Sequence, residues 1–308
     1  MNVEDIKRVL ILGAGTMGHQ IGFLCAAHGY EVVIYDSCPD IFEKVRQRLD
    51  KLADDFFGPG IMTPDKKKEV IGRVSFSSNP EQAAREVDLV SESVPEDPRI
   101  KAQVFGTFNA LCPERTIFTT NTSSLVPSMF AAATGRPEKF VAFHFHDILI
   151  TKVVDIMPHP GTAPETIDLV DAFARKLGQV VITVKRESAG YVFNAMLGAL
   201  LDSAVALVSK NVACLEDVDR AWMGVMHSPT GPFGIMDSIG LDTVWRVTDF
   251  RARATKEKQL KANADFLKSF IDQGKLGKKS GEGFYRYPGP LFSQKDFLEN
   301  GVEGNDRL

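Results

Sequence analysis

Cysteine is scarce. The four residues Cys25, Cys38, Cys112 and Cys214 form no CxxC pair. That excludes a disulfide framework or a thiolate metal cluster as the basis of the fold, and reduced thiols in a cytoplasmic protein are expected. An excess of one charge is lacking too: 36 basic against 40 acidic residues leave a net −4, which argues against nucleic acid or an anionic membrane as the main partner. Long hydrophobic runs are missing. The most apolar stretch, 191–208, is interrupted by Asn194, Asp202 and Ser203 and reads as a buried helix rather than a membrane span. The segment from Met1 to Lys7 is polar and mixed in charge, without the apolar core of a signal peptide. Repeats and low-complexity tracts are absent. Hydrophobic residues at 44% and charged residues at 25% exclude a disordered, collagen-like or coiled-coil chain. The length, 308 residues, exceeds the roughly 150–200 of a single nucleotide-binding domain, so a second domain is expected.

The pattern along the chain places the boundary between them. Short β-rich runs at 8–12, 31–35, 74–76, 89–94, 116–120, 140–145, 153–157 and 180–184 alternate with helical periodicity at 16–28, 100–111 and 165–177. Such alternation predicts βαβ units, hence a doubly wound α/β domain with a mostly parallel sheet covered on both faces. A charged helix over 40–57 and a second helix opened by Thr63-Pro64-Asp65 predict an inserted helical hairpin. After Lys185 the spacing turns helical at 189–209, 215–226, 233–247 and 256–273, with a possible strand at 284–287 and a frayed end over 301–308. The expected division is a Rossmann-like domain over 1–187 and an all-α domain over 188–308.

Gly13-Ala14-Gly15-Thr16-Met17-Gly18 follows the first strand and opens the first helix. In this context Gly13 permits the tight turn, Gly15 lets backbone approach a pyrophosphate, and Gly18 lets helix pack on strand. The helix N-terminus then offers unpaired N–H groups to the anion. Asp36 ends the second strand, 23 residues after Gly13. A carboxylate there accepts ribose hydroxyls and repels a 2′-phosphate, and Ser37-Cys38-Pro39 brings no arginine, so NAD is the expected cofactor.

Further segments carry a resemblance. They are Glu96 and Lys101 in SESVPEDPRIKAQVF, Asn121-Thr122-Ser123-Ser124-Leu125, Phe143-His144-Phe145, Thr230-Gly231-Pro232-Phe233 with Asp237 and Gly240-Leu241-Asp242, and LGKKSGEGFYRY. Together with the glycine turn they make the chain resemble the 3-hydroxyacyl-CoA dehydrogenase family, over nearly its whole length. The resemblance implies NAD-linked oxidation of an L-3-hydroxyacyl-CoA to the 3-ketoacyl-CoA, with a short-chain substrate such as 3-hydroxybutyryl-CoA. It also implies an acyl-CoA partner and a homodimer formed through the C-terminal domain. His144 matches the catalytic base, Ser123 a hydroxyl that contacts substrate and cofactor, and Asn194 a polar group facing the reacting carbonyl. Glu96 and Lys101 match residues near NAD, with Gly13, Gly15, Thr16, Met17, Gly18 and Asp36 around the phosphates and ribose.

The chain departs from the family after His144. The usual asparagine and proline are replaced by Asp147 and Ile148, the loop reads one residue shorter, and Asp155 stands where a glutamate usually orients the histidine. Asp147 keeps its place among the expected cofactor contacts. The chemistry suits these residue types: alcohol oxidation needs a base with a pKa near working pH, and a carboxylate on the second ring nitrogen sets the tautomer. His146 points to the same strand face and is the rival base. His144, His146, Asp147 and Asp155 are conceivable metal donors, but histidines two apart with no third strong ligand lead to no expected metal site. Basic residues Lys44, Arg46, Arg48, Lys51 and Lys66-Lys67-Lys68 on the hairpin are candidates for CoA phosphates, although acidic residues are interleaved. The altered loop keeps two other readings open: a dehydrogenase of a non-CoA 3-hydroxy acid such as L-gulonate, and a non-catalytic NADH-binding crystallin-like protein.

Overall fold

A computed structural model of the chain describes residues 1–57 and 63–299. The expected turn of the helical hairpin and the expected frayed end over 301–308 lie outside the described residues. The chain divides into two compact units, Met1–Asn194 and Ala195–Leu308.

The first unit is built on an eight-stranded sheet: β1 (Arg8–Leu12), β2 (Glu31–Tyr35), β3 (Val74–Ser77), β4 (Leu89–Glu92), β5 (Ile117–Thr120), β6 (Phe140–Phe145), β7 (Val153–Met157) and β8 (Val180–Thr183). Their order is β3-β2-β1-β4-β5-β6-β7-β8. Every pairing is parallel except β6 with β7. The chain reverses between those two because only the seven residues 146–152 join them, too few for a helical crossover. The chain order changes direction at β1, the topological switch point beside which open α/β sheets bind ligands.

Period-2 alternation covers both faces. Val9 and Ile11 of β1 pack with Phe23 of α1 (Thr16–Ala27) and Phe173 of α6 (Pro164–Lys176). Leu10 and Leu12 pack on the other face with Phe105 and Phe108 of α5 (Pro98–Leu111). On β6, Val141, Phe143 and Phe145 join the first core. Ala142 turns the other way, into a small cluster with Met157, Val184 and Tyr191, and His144 shares that face. The hairpin helices are α2 (Ile41–Phe57) and α3 (Pro64–Gly72), the latter capped by Thr63. A short α4 (Pro80–Ala83), capped by Asn79, precedes β4. Among the described residues no helix is long and apolar enough to cross a membrane.

The C-terminal helices are α7 (Phe193–Ser209), α8 (Leu215–Met226), α9 (Pro232–Ile239), α10 (Leu241–Thr255) and α11 (Lys258–Ile271). Three expectations are corrected here. The helix expected from 189 starts at Phe193, because Gly190 and Tyr191 take positive φ of 83° and 54°. The single helix expected over 233–247 is two, broken at Gly240 with φ 97°. The possible strand at 284–287 is only an isolated bridge between Glu282 and Arg286. The motifs of this unit knit its own core. Asp219 accepts hydrogen bonds from Phe233 N (2.8 Å), Gly234 N (3.0 Å) and the Tyr285 hydroxyl (2.9 Å). Asp237 accepts from Phe284 N and Tyr285 N, both at 2.9 Å. A side chain on Gly231 would meet Asp219 at 2.4 Å, and one on Gly283 would meet Asp237 at 2.0 Å.

Candidate active site

The glycine turn does three separate jobs. Gly13, at φ 100°, lies where a Cβ would sit 2.7 Å from the Ser93 carbonyl oxygen. A Cβ on Gly18 would sit 1.9 Å from the Gly13 oxygen. Both are packing glycines. Gly15 differs: a Cβ there meets nothing within 4 Å, because it faces a cavity of about 730 Å³ lined by Gly13, Gly15, Asp36, Ser93, Val94 and Pro95 among others. Gly15 is also the N-cap of α1 and supplies no side-chain cap. Its helix therefore presents an open N-terminus at Thr16 and Met17 to that space, a natural seat for phosphate.

Asp36 lines the same cavity. Its Oδ2 accepts from Ala14 N (2.9 Å) and its Oδ1 from Cys38 N (3.0 Å). Each oxygen keeps a further lone pair for ribose hydroxyls. The bare cradle at Gly15 and the anchored acid at Asp36 fit a dinucleotide.

Glu96 gathers the turn after β5. Its Oε1 accepts from the Thr122 hydroxyl (2.5 Å), Ser123 N (3.0 Å), Ser124 N (3.0 Å) and the Ser124 hydroxyl (2.9 Å). Burial raises the Glu96 carboxyl, but the Lys101 ammonium and these donors outweigh it and hold it below its ordinary value. Ser123 is exposed, its backbone N–H held by Glu96. The turn is capped by Thr122, whose hydroxyl accepts from Leu125 N at 3.1 Å.

Lys101 is fully buried. Its ammonium donates to Glu92 Oε1 (2.7 Å) and Oε2 (3.0 Å) and lies 3.4 Å from Glu96 Oε2. Glu92 also accepts from the Thr120 hydroxyl (2.6 Å) and Val94 N (2.7 Å). Burial pushes the Glu92 carboxyl up despite these partners. The lysine thus ties α5 to the ends of β4 and β5 and steadies Glu96. Glu92 was not singled out from the sequence; an acid ending an otherwise apolar strand is the signal that marks it.

His144, the penultimate residue of β6, lies directly opposite Asp155 in the antiparallel register. Its Nδ1 lies 3.1 Å from Asp155 Oδ2. His146 Nε2 lies 3.1 Å from the same oxygen. Burial raises the Asp155 carboxyl, but the two imidazoles outweigh this and keep it below its ordinary value. Its Oδ1 is buried and has no hydrogen-bond partner among the described residues. Tyr191 stacks on the His144 ring, centroids 4.8 Å apart and planes 22° from parallel. That contact has no sequence signal, because it depends on the left-handed backbone at Tyr191. Phe193 meets His146 edge-on at 5.7 Å, and Asn194 follows it at the second position of α7, half-buried.

Asp147 organises the loop. Its Oδ1 accepts from Leu149 N (2.9 Å), and Gln20 of α1 donates to it at 3.4 Å while accepting from Ile148 N at 3.3 Å. The hairpin cations are partly neutralised: Lys67 pairs with Asp50 and Asp54, and Lys66 with Glu69.

Residues 8–188 match the profile described as "3-hydroxyacyl-CoA dehydrogenase, NAD binding domain", and residues 190–287 match the "3-hydroxyacyl-CoA dehydrogenase, C-terminal domain". The chain belongs to the 3-hydroxyacyl-CoA dehydrogenase family. The family's NAD-binding domain is the unit that carries the glycine turn and Asp36. A relative from Bacillus subtilis, named a probable 3-hydroxybutyryl-CoA dehydrogenase, is 33% identical over 92% of this chain and 98% of its own. Among solved structures, a diketoreductase described for dual catalysis of dicarbonyl compounds superimposes with TM-score 0.84 at 36% identity, covering 92% of this chain and 99% of its own. The (S)-3-hydroxybutyryl-CoA dehydrogenase of Ralstonia eutropha does so with TM-score 0.82 at 28% identity, covering 92% and 99%.

Proposed function

We propose that the chain catalyses the reversible NAD-linked oxidation of an L-3-hydroxyacyl-CoA to the 3-ketoacyl-CoA, with a short acyl chain such as 3-hydroxybutyryl. The observation that carries the reading is the His144–Asp155 contact at 3.1 Å, at the carboxyl end of β6. Family membership and the relatives named for 3-hydroxybutyryl-CoA support it.

Bound NAD supplies the hydride acceptor. Everything else falls to the chain. With Nδ1–H donated to Asp155, His144 presents the Nε2 lone pair as the base that takes the hydroxyl proton. The Asp155 carboxylate then stabilises the imidazolium that forms and holds the tautomer. Ser123 and Asn194 are assigned to hydrogen bonds on the substrate oxygens, with Glu96 positioning Ser123. Gly15, Thr16 and Met17 take the pyrophosphate, and Asp36 the adenosine ribose. Lys101 acts through Glu92 and Glu96 rather than on the cofactor, and Asp147 through the loop it caps.

The working division is a Rossmann-like NAD-binding domain over 1–187 and a helical domain over 188–308, in a cytoplasmic homodimer. An apolar groove of about 540 Å³ between α7 and α8, bordered by the exposed Val212, Val225 and Met226, supports pairing through the helical domain. Light scattering of the purified protein checks it.

One observation favours a second reading. The similar diketoreductase acts, by its description, on dicarbonyl compounds, so a substrate without CoA is the alternative. Following NADH absorbance with acyl-CoA substrates of increasing length, beside free 3-hydroxy acids and diketones, decides between them. Turnover only of the CoA-free compounds overturns the first reading. A His144→Ala protein that binds NADH and keeps its turnover overturns the assignment of the base.

A further inference from the structure

By sequence, His144, His146, Asp147 and Asp155 make no expected metal site, for want of a third strong ligand placed beside the histidines. The β6–β7 register supplies it. We propose that His144, His146 and Asp155 form a binding site for a divalent transition-metal ion, zinc foremost, and that its occupancy switches the dyad off.

The ring nitrogens and the carboxylate oxygen offered by these residues all lie within 4.8 Å of one another. Ligands at zinc distances of about 2.0–2.1 Å in a tetrahedron stand about 3.3 Å apart. Both nitrogen-to-Oδ2 edges here are 3.1 Å, and the third edge, between the two nitrogens, is bounded by 4.8 Å. Two imidazoles and a carboxylate are the borderline donor set that zinc accepts, with water as the fourth ligand. The second carboxylate oxygen, Asp155 Oδ1, is buried without a partner among the described residues, so the carboxylate has unspent acceptor capacity. The scaffold is stiff. His144 lies in β6 and His146 just beyond its end, Asp155 lies opposite His144 on the next strand, and Tyr191 and Phe193 pack on the two rings. The His146 side chain is 17% exposed, which gives the ion an entry. Among the described residues no other trio of histidine, cysteine or carboxylate donors converges in this way.

Proton positions explain the switch. An ion on His144 Nδ1 takes that nitrogen's lone pair, so the neutral ring must carry its proton on Nε2. His146 shifts its proton from Nε2 to Nδ1 in the same way. No proton is lost from the chain, but His144 Nε2 becomes a donor and can no longer accept the substrate proton. Metal binding stands independently of the proposed reaction; the block on turnover rests on His144 being its base.

The test uses the full-length protein stripped with EDTA. Cobalt(II) absorbance in the visible and calorimetric titration with Zn²⁺ measure binding without reference to activity. One ion per chain is expected, with affinity falling at least about 10–100-fold in His146→Phe and His146→Gln, each checked for folding by its melting curve. Zn²⁺ should halve NADH production at the concentration that half-fills the site, EDTA should restore it, and each variant is compared with its own metal-free rate. A wild-type protein that takes up no ion, or folded His146 variants that bind as tightly as wild type, overturns the site. Binding that leaves turnover untouched overturns the switch alone. Failure of the proposed reaction shows up differently, as absent turnover in metal-free protein whatever the titrations give.

Discussion

His144 and Asp155 are paired residue for residue across β6 and β7, and their side chains meet at 3.1 Å. Directly opposed residues in an antiparallel pair have Cβ atoms about 4.5–5.5 Å apart. An aspartate therefore reaches the imidazole directly across the strand pair. Asp155→Asn removes the acceptor that selects the tautomer and the charge that stabilises the imidazolium. kcat is expected to fall by about 10²–10⁴-fold while NADH affinity, read by fluorescence titration, stays within a few-fold of wild type.

The glycine turn separates binding from folding. Gly15→Ala places a methyl in open space, at an ordinary φ of −64°. The protein should melt as wild type does, yet bind NADH at least about tenfold more weakly, because the methyl stands where the pyrophosphate must approach. Gly18→Ala drives a Cβ to within 1.9 Å of the Gly13 oxygen. A backbone neighbour cannot rotate away, so a loss of about 3 kcal/mol or more is expected in chemical denaturation.

The buried Lys101–Glu92 pair should respond asymmetrically to truncation. Lys101→Met leaves the Glu92 carboxylate fully buried without its cation, at an expected cost of about 3–5 kcal/mol. Adding Glu92→Gln removes the charge and keeps one acceptor oxygen for Val94 N, while its amide nitrogen donates to the Thr120 hydroxyl, and should recover about 2 kcal/mol of that loss. Urea unfolding of the four members of the cycle measures the coupling. A double variant no more stable than Lys101→Met contradicts the account.

Asp219 gives the protein an acid-side dependence of its own. Burial pushes its carboxyl up to about 6, against the hydrogen bonds from Phe233 N, Gly234 N and Tyr285. A folded-state value above the unfolded one means that the native state binds the proton more tightly. The stabilisation is fully present below the unfolded value of about 3.9 and is lost as pH rises through about 6. The stability difference between wild type and Asp219→Asn should therefore shrink by about 2–3 kcal/mol between pH 4.5 and 7.5, read from denaturant melts. A difference that does not change with pH rules the shift out.

Much of this was legible beforehand for one physical reason: local periodicity carries it. The strands at 8–12, 31–35, 140–145 and 153–157 stand where their short apolar runs put them. The glycine turn announced itself by spacing, and His144 by its place at a strand end. Helix ends were harder. Nothing in the apolar spacing of 233–247 registers the positive φ at Gly240, since the pattern runs straight through the break. Tyr191 was passed over because its contact with His144 depends on a left-handed backbone at a residue that rarely adopts one. Glu92 and Lys101, nine positions apart, reveal their pairing only when α5 folds back over β4 and β5.

Local sequence by itself determined the alternation of strands and helices, the nucleotide turn with its acid at Asp36, and the residue types available for catalysis. All of these depend on neighbours within a few positions, and short-range sterics and hydrophobic patterning suffice for them. The tertiary structure alone decided which groups meet. It chose the antiparallel register that sets Asp155 against His144, put His146 on the same oxygen, left the second oxygen unpaired among the described residues, and buried Lys101 on Glu92. Those pairings join strands and helices distant in the chain. They are fixed by the packing of the whole sheet, which no short stretch of sequence encodes.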